Sequence, residues 1–265
     1  MTPKSPVREA RGPRTCRILL MAALPQEVRP FLRRLKARPR RDLGLPVWEG
    51  KWPGALVALS GMGAAPAQAA AKTLISRCRP QLLISLGFAG AFTPGLAAGD
   101  LILAEAFWHY DPDTGELVPG PQPPAPLPVS YLRQALQAAG RPAITGSLVT
   151  TPRIIPKTGR QEPLSGLPGV LLDLETNYLA EIAAAHSLTF LSLRAITDTA
   201  SEEIPEFLRA AAEDNAAVGV RTALAWLRED FRRVNDLARF WWRSRRAARA
   251  LSEALTIIRP LISPH

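Results

Sequence analysis

The sequence predicts an α/β protein, a three-layer α/β/α sandwich in which helices cover both faces of a mixed central sheet. Several runs of strand length are almost wholly apolar, which is typical of strands that are buried on both faces. Helical patterns stand between these runs, so that strands and helices alternate along the chain. The chain has 265 residues, 47% of them hydrophobic, which is enough material for one large core. We find no internal repeat.

The first elements are a buried strand, a helix and a hairpin. "CRILLMAAL" (16–24) is a continuous apolar run of strand length that stops before Pro25. In residues 25–37 the apolar side chains recur at helical spacing. Residues 47–61 predict a hairpin, because glycine and proline turn signals divide two apolar runs.

The alternation continues up to about residue 200. A proline-rich segment, 111–128, predicts a surface excursion. Residues 64–78, 129–140 and 174–187 predict helices, and residues 81–92, 99–111, 143–151 and 188–197 predict strands.

The net charge of +10 is concentrated at the two ends of the chain. Residues 1–17 hold five basic residues and one acidic residue, and residues 231–265 hold eight arginines and two acidic residues. We therefore divide the chain into a disordered basic lead-in (1–16), a neutral central domain (17–230) and a basic amphipathic C-terminal helix (231–265). The central domain is neutral and contains no recognisable nucleic-acid module, so we expect no nucleic-acid partner.

The C-terminal helix has two interpretations that the sequence leaves open. Apolar residues recur every three to four positions from Leu237 to Ile262, and five arginines crowd residues 239–249 beside Trp241 and Trp242. Such a helix fits the face of an anionic bilayer, with contact through 237–262. It fits equally well against the protein's own domain or against a second subunit.

Cysteine usage and the N-terminal sequence favour a cytoplasmic protein. Cys16 and Cys78 have no metal-ligand spacing and form no disulfide framework. The apolar run at 16–24 is about half a membrane span, and we expect no secretory signal. With three histidines, neither a metal site nor another cofactor is predicted. The expected location is the cytoplasm, at the inner face of the membrane if the C-terminal helix binds lipid.

Polar and glycine-rich segments follow the predicted strands, where the ligands of open α/β sheets gather. A glycine turn at such a place lets the backbone approach a ligand closely, but it can also be a plain loop. A carboxylate at a helix start can be a catalytic group or only a cap. The candidates in chain order are Glu27, Ser60, Gly61, Gly87, Phe88, Asp173, Leu174, Glu175 and Asp198.

Five segments, taken in order, resemble the nucleoside phosphorylase/nucleosidase superfamily. They are "AALPQEV", "SGMGAAPAQAAA", "LISLGFAGAFTPGLAAGDLILAEAFWHYD", "VLLDLETNYLAEIA" and "FLSLRAITDTASEE", and the resemblance runs from about 17 to 228. The nearest branch is that of the 5′-methylthioadenosine/S-adenosylhomocysteine nucleosidases. The superfamily also has a hopanoid-associated branch that removes adenine from an adenosylated hopanoid. The resemblance implies a homo-oligomer, with a dimer favoured, because relatives build part of the pocket across a subunit interface.

The resemblance also implies a reaction, the cleavage of the N-glycosidic bond of a purine nucleoside, with adenine as the expected base. Asp198 would protonate the leaving base, and burial in an apolar setting would help to keep this acid protonated. Glu27 would orient and deprotonate the attacking water, and Glu175 would hold the ribose hydroxyls. Main-chain groups near Gly87 and Leu174 would face the base or the sugar.

Three departures from the family pattern bear on the substrate. Asp173 replaces a glutamate, so that this carboxylate is shorter. Ile154 and Ile155 stand where relatives place an aromatic side chain against the purine, and Phe88 replaces a small hydroxyl residue. These changes leave adenine selectivity open.

The water nucleophile is favoured over phosphate. Family phosphorylases bind phosphate with an arginine and a serine at the positions of Ser85 and Phe88. Desolvating a phosphate without an arginine is costly, and Glu27 would repel it, unless an arginine such as Arg153 or Arg160 enters the site. Two alternatives remain: a phosphate-dependent phosphorylase acting on a lipid-linked adenosine, and a non-catalytic nucleoside-binding protein.

Overall fold

The computed structural model describes residues 16–122, 127–157, 162–204, 209 and 233–263. The basic lead-in predicted at the start of the chain therefore lies outside the described residues, except for Cys16.

A mixed sheet runs through the described part of the chain. Its order is β10-β6-β8-β9-β5-β1-β4-β3-β2, β7 pairs with β6, and β10 also pairs with β5. The strands are β1 (Ile18–Ala22), β2 (Arg38–Pro39), β3 (Val47–Glu49), β4 (Ala55–Leu59), β5 (Leu82–Ala91), β6 (Leu101–Tyr110), β7 (Leu117–Pro119), β8 (Ala143–Thr150), β9 (Leu171–Asp173) and β10 (Thr189–Asp198).

Part of this sheet closes on itself. β5 pairs with β10, β10 with β6, β6 with β8, β8 with β9, and β9 again with β5. On the other side of β5, the parallel strands β1 and β4 extend the sheet, and β3 and β2 form its antiparallel edge. Because β1, β4, β5 and β10 are parallel to one another, their carboxyl ends meet at one edge of the sheet.

Helices cover both faces of the sheet, which confirms the predicted fold class. α2 and α5 pack against one core cluster, and α1, α3 and α6 pack against the other. The alanine-rich sequence of α2 lets it approach the sheet closely, since Ala67, Ala70 and Ala71 are buried. The helices are α1 (Pro25–Arg34), α2 (Ala64–Cys78), α3 (Val129–Ala138), α4 (Glu162–Ser165), α5 (Thr176–Ala185) and α6 (Arg233–Ile262), with a 3₁₀ turn at Arg41–Leu43.

Two short strands, β7 and β9, differ from the expectation. β7 lies inside the proline-rich segment, where it pairs with β6 through residues such as Val118 opposite His109. β9 lies just before the predicted helix at 174–187, and its three residues complete the closed part of the sheet. The predicted hairpin at 47–61 is present as β3 and β4, with Val47 opposite Ala58.

The helix α6 is amphipathic, and its two halves have different surroundings. In the C-terminal half, Leu251, Leu255 and Ile258 are buried in the core cluster shared with α1 and α3. In the N-terminal half, Trp241 and Trp242 are 59% and 58% exposed. Among the described helices, α6 included, none combines the length and the apolarity needed to cross a bilayer.

Candidate functional site

Glu27 lies at the sheet edge where the parallel strands end. It belongs to the first turn of α1, and its Oε2 accepts a hydrogen bond from the backbone N–H of Leu24 at 2.7 Å. Its Oε1 accepts a second one from the backbone N–H of Phe88 at 2.9 Å. Burial raises the pKa of Glu27, while these backbone bonds and the charge of Arg194 act in the opposite direction. A buried carboxyl with a raised pKa, held by two fixed donors, suits a general base.

Arg194 is the first of two residues of this site that the sequence interpretation missed. It lies opposite Gly87 in the pairing of β5 with β10 and is 2% exposed. Its Nη2 donates to the hydroxyl of Ser85 at 2.6 Å and to the carboxylate of Asp173 at 2.9 Å, and it also contacts the hydroxyl of Thr176. Its Nη1 is buried and has no hydrogen-bond partner among the described residues. The guanidinium is therefore fixed on one side and has donors to spare on the other.

Glu27 and Arg194 meet over Gly87. A Cβ atom at Gly87 would lie 2.7 Å from Oε1 of Glu27 and 2.9 Å from Nη1 of Arg194. A carboxylate acceptor and an unpaired guanidinium donor thus face one small space, which only a glycine leaves open. A water molecule could both donate to the carboxylate and accept from the guanidinium at this place.

Asp173 lies in a buried polar network behind Arg194. Its Oδ1 accepts a hydrogen bond from the hydroxyl of Thr150 at 2.7 Å, and Oδ2 binds Nε and Nη2 of Arg194. The backbone N–H of Thr176, at the start of α5, also donates to this carboxylate, at 3.2 Å to Oδ2. These contacts favour a positioning role for Asp173, while the substrate contact predicted from the sequence stays a prediction.

Glu175 precedes α5 and turns toward the glycine-rich loop after β4. Its Oε1 accepts a hydrogen bond from the backbone N–H of Gly63 at 2.7 Å. Surrounding protein atoms and the nearby charge of Asp173 raise the pKa of Glu175 to about 8, although part of its surface stays exposed. In the same loop, the hydroxyl of Ser60 donates to the carbonyl of Gly61 at 2.9 Å. This hydrogen bond therefore connects the start of α5 to the glycine-rich loop after β4 at the sheet edge.

Asp198 ends β10 on the same edge and is 1% exposed. It lies opposite Gly90, where a Cβ atom would approach Oδ2 of Asp198 to 2.6 Å. The hydroxyl of Thr197 donates to Oδ1 at 2.7 Å, and the ammonium of Lys157 lies 2.5 Å from Oδ2. Lys157, in the loop after β8, is the second residue that the sequence interpretation missed.

The apolar candidates differ in their surroundings. The side chain of Ile155 is buried in a small cluster with Tyr110 and Val149, whereas Ile154 is half-buried. Leu174 is half-buried next to Glu175, and the ring of Phe88 packs at the border of the core cluster of α6. The predicted contact of the two isoleucines with the base stays a prediction.

Neither Arg153 nor Arg160, the two arginines considered as phosphate ligands, supports a phosphate site. Arg153 forms an ion pair with Asp113, with Nη1 2.9 Å from Oδ2. Arg160 lies outside the described residues. The described residues also contain no group of three His, Cys, Asp or Glu side chains arranged to hold a metal ion.

Comparison with known proteins agrees with this architecture. A family model described as the phosphorylase superfamily matches residues 17–225. The chain is 30% identical to the 5′-methylthioadenosine/S-adenosylhomocysteine nucleosidase of Geobacillus kaustophilus (strain HTA426) over 184 residues, which cover 61% of this chain and 76% of the relative. It is 28% identical to the nucleosidase of the same name from Geobacillus thermodenitrificans (strain NG80-2) over 222 residues, 74% of this chain and 92% of the relative.

Solved structures share the fold at lower identity. The futalosine hydrolase of Helicobacter pylori strain 26695 superposes with a TM-score of 0.63 at 15% identity, covering 91% of this chain and 97% of its own. The Campylobacter jejuni 5′-methylthioadenosine/S-adenosylhomocysteine nucleosidase gives a TM-score of 0.59 at 20% identity, with coverages of 77% and 94%. The family model spans most of the chain and the resemblance seen in the sequence is confirmed, so this chain belongs to the phosphorylase superfamily.

Proposed function

We propose that the protein is an enzyme that hydrolyses the N-glycosidic bond of a purine nucleoside, with adenine as the expected base. Glu27 activates a water molecule, Asp198 delivers a proton to the departing base, and Glu175 binds the ribose hydroxyls. The names of the curated relatives support this reaction and point to 5′-thio-substituted adenosines as the first substrates to examine.

The observation that carries the proposal is the arrangement along β5. Glu27 and Arg194 face Gly87, and Asp198 lies opposite Gly90, three residues further along the same strand. Three strand residues span roughly 10 Å, so the two groups stand at opposite ends of one site. Attack of water and departure of the base occur on opposite faces of the anomeric carbon, and they need an acid and a base that are separated in this way.

The charges around Gly87 favour water over phosphate. Arg194 is the arginine from elsewhere that could support a phosphate site, but its Nη2 is bound to Asp173 and Ser85, and its unpaired Nη1 faces the same space as Oε1 of Glu27. The carboxylates of Glu27 and Glu175 lie close enough to influence each other's protonation. A phosphate dianion at Nη1 of Arg194 would be repelled by Glu27 in the ionised form that a general base needs, whereas a water molecule would not.

Chromatography of released bases tests this reaction. Purified protein is incubated with methylthioadenosine, S-adenosylhomocysteine, inosine, futalosine and a lipid-linked adenosine, with and without phosphate. We expect base release without phosphate, and a loss of roughly 100-fold or more in Asp198→Asn and in Glu27→Gln. The exposed Glu105→Gln is the control and should keep full activity.

Other results of this assay would support one of the alternative functions. Strict dependence on phosphate would identify a phosphorylase, and unchanged turnover in Asp198→Asn would remove Asp198 from the acid role. Binding of nucleosides without release of any base would identify a nucleoside-binding protein.

We also propose that the N-terminal half of α6 rests on an anionic membrane surface. Arg245 lies 4.4 Å from the ring centre of the exposed Trp241, and Arg246 lies 5.8 Å from that of Trp242. Exposed indole rings beside guanidinium groups match the headgroup region of a bilayer, where aromatic rings and anionic lipids meet. A second copy of this chain would bring the same positive charge and is therefore a poorer occupant.

Sedimentation with vesicles tests the membrane contact. We expect the protein to pellet with vesicles that contain phosphatidylglycerol, and less with phosphatidylcholine alone or at high salt. The double variant Trp241→Ala/Trp242→Ala should lose this binding, while the exposed control Arg38→Gln should keep it. Equal pelleting of the double variant and the wild type, or binding to RNA but not to vesicles, would remove the membrane proposal. If the contact exists, the lipid-linked adenosine in the base-release assay becomes the substrate of first interest.

A further inference from the structure

Lys157 and Asp198 form a buried ion pair at the end of the site where the base must leave. The side chains are 5% and 2% exposed, and Nζ lies 2.5 Å from Oδ2. The ammonium also donates to the backbone carbonyl of Thr199 at 2.6 Å and to that of Asp198 at 3.2 Å. A buried lysine is costly unless its charge is compensated, so its contact with Asp198 is a built feature of the site.

Each carboxyl oxygen of Asp198 makes one side-chain contact. Oδ1 accepts from the hydroxyl of Thr197, and Oδ2 accepts from the ammonium of Lys157. Lys157 therefore places a proton donor directly against Oδ2 of Asp198, the oxygen that lies next to Gly90.

We propose that Lys157 supplies, through Asp198, the proton that the departing base takes up. This inference rests on the proposed hydrolysis of a nucleoside. As the bond between the anomeric carbon and the base nitrogen breaks, its electron pair moves to the base. An Nζ–H bond of Lys157 breaks as its proton passes to Oδ2 of Asp198, and Asp198 passes a proton to the base and is left as a carboxylate. The water molecule gives its proton to Glu27 and its hydroxyl to the sugar, and solvent later reprotonates Lys157 and deprotonates Glu27.

The loop that holds Lys157 is itself fixed to the segment after β10. The backbone N–H of Lys157 donates to Oε1 of Glu203 at 2.9 Å. Gly90 leaves room for the pair, because a Cβ atom there would lie 3.4 Å from Cε of Lys157 and 2.6 Å from Oδ2 of Asp198. The hydrogen bond of its backbone N–H and the contact of its side chain therefore both hold Lys157 next to Asp198.

The test compares leaving groups that do and do not need a proton. We expect Lys157→Met to lower kcat for release of the purine by about 100- to 10,000-fold, the range of general acid catalysis, with KM changed less than about threefold. Hydrolysis of p-nitrophenyl β-riboside, whose leaving group departs as a stable anion, should fall by less than about threefold. A merely structural role of Lys157 would lower both reactions together, which would overturn the proposal.

Lys157→Arg distinguishes the effect of the positive charge at this position from the ability of the side chain to give up a proton. Arginine keeps the positive charge and hydrogen bonds but does not give up its proton in proteins. We expect this variant to stay as slow as Lys157→Met with the purine nucleoside, while wild-type speed in it would overturn the proposal. If wild type does not accept the p-nitrophenyl riboside, the split between kcat and KM and the arginine variant decide the question.

The controls keep this proposal separate from the proposed function. Lys72→Met, at an exposed position of α2, should retain wild-type turnover, and the melting temperature of each variant reports its folding. Base release by wild type that is unchanged in Lys157→Met would overturn the role of Lys157 and leave the hydrolase intact. Absence of base release from every nucleoside would overturn the proposed function, and this inference with it.

Discussion

Glu27 and Arg194, which we propose to bind the attacking water, meet at Gly87. Both Oε1 of Glu27 and Nη1 of Arg194 would come within 3 Å of a Cβ atom placed there, so even a methyl group must displace them. We expect Gly87→Ala to lower kcat by roughly 10- to 100-fold, since misplacing a reacting group by about 1 Å has effects of this size. Steady-state kinetics of base release measures the loss.

Gly166→Ala is the matched control for this change. A Cβ atom at Gly166 meets no heavy atom within 4 Å, so activity and melting temperature should both stay near those of wild type. Full activity in Gly87→Ala would show that Glu27 and Arg194 do not act together on the water.

The residue types of the site could be predicted from the sequence only in part. Glu27, Glu175 and Asp198 follow elements that are recognisable by their apolar pattern, and the structure brings all three to one edge. Arg194 lies inside a strand that looked wholly apolar, and its partners Asp173 and Ser85 are 21 and 109 residues away. Lys157 pairs with a residue 41 positions away from within a short loop. No local pattern specifies such long-range pairs, because each depends on the register of β5 with β10 and on the path of a loop.

At the scale of elements, long periodic segments were predictable and short ones were not. β1 and β5 are continuous apolar runs, and their burial on both faces follows from that composition. β9 has three residues, and its place between β5 and β8 comes from backbone pairing rather than from its own side chains. The closure of the sheet depends on this strand, so it could not be derived from the sequence pattern alone.

The helix α6 shows how one amphipathic pattern serves two surroundings. Its apolar spacing is regular over the whole length, but the residues it contributes to the core cluster shared with α1 and α3 begin only at Ala247. Arginines also stand beside the buried half, where Arg34 and Arg141 of neighbouring elements both pair with Glu253. The spacing of apolar residues therefore predicted the helix and its apolar face. Which parts of the protein pack against each half could be learned only from the tertiary structure.

For the whole molecule, the buried glutamates at the site predict that stability depends on pH. The pKa of Glu175 is raised from 4.5 to about 8, and burial also raises the pKa of Glu27. Between pH 5 and pH 7 the folded protein therefore binds more protons at these groups than the unfolded chain does. Stability falls with rising pH wherever the folded state binds more protons. The pKa values of Asp42 and Glu202 are lowered. Their contributions to the stability of the protein therefore change mainly below pH 5 and do not cancel this trend.

We expect the free energy of unfolding to decrease from pH 5 to pH 7, by at most about 1.4 kcal/mol per pH unit for each glutamate. Glu175→Gln removes one of the two glutamates whose pKa is raised on folding. Its plot of unfolding free energy against pH should therefore be flatter and should lie above that of wild type at pH 7. Urea denaturation at pH 5, 6 and 7 measures both curves, with the exposed Glu116→Gln as the control that keeps the wild-type slope. An equal slope in Glu175→Gln would mean that Glu175 is ionised in the folded protein throughout this range. Its side chain would then only accept hydrogen bonds, as Oε1 does from the backbone N–H of Gly63.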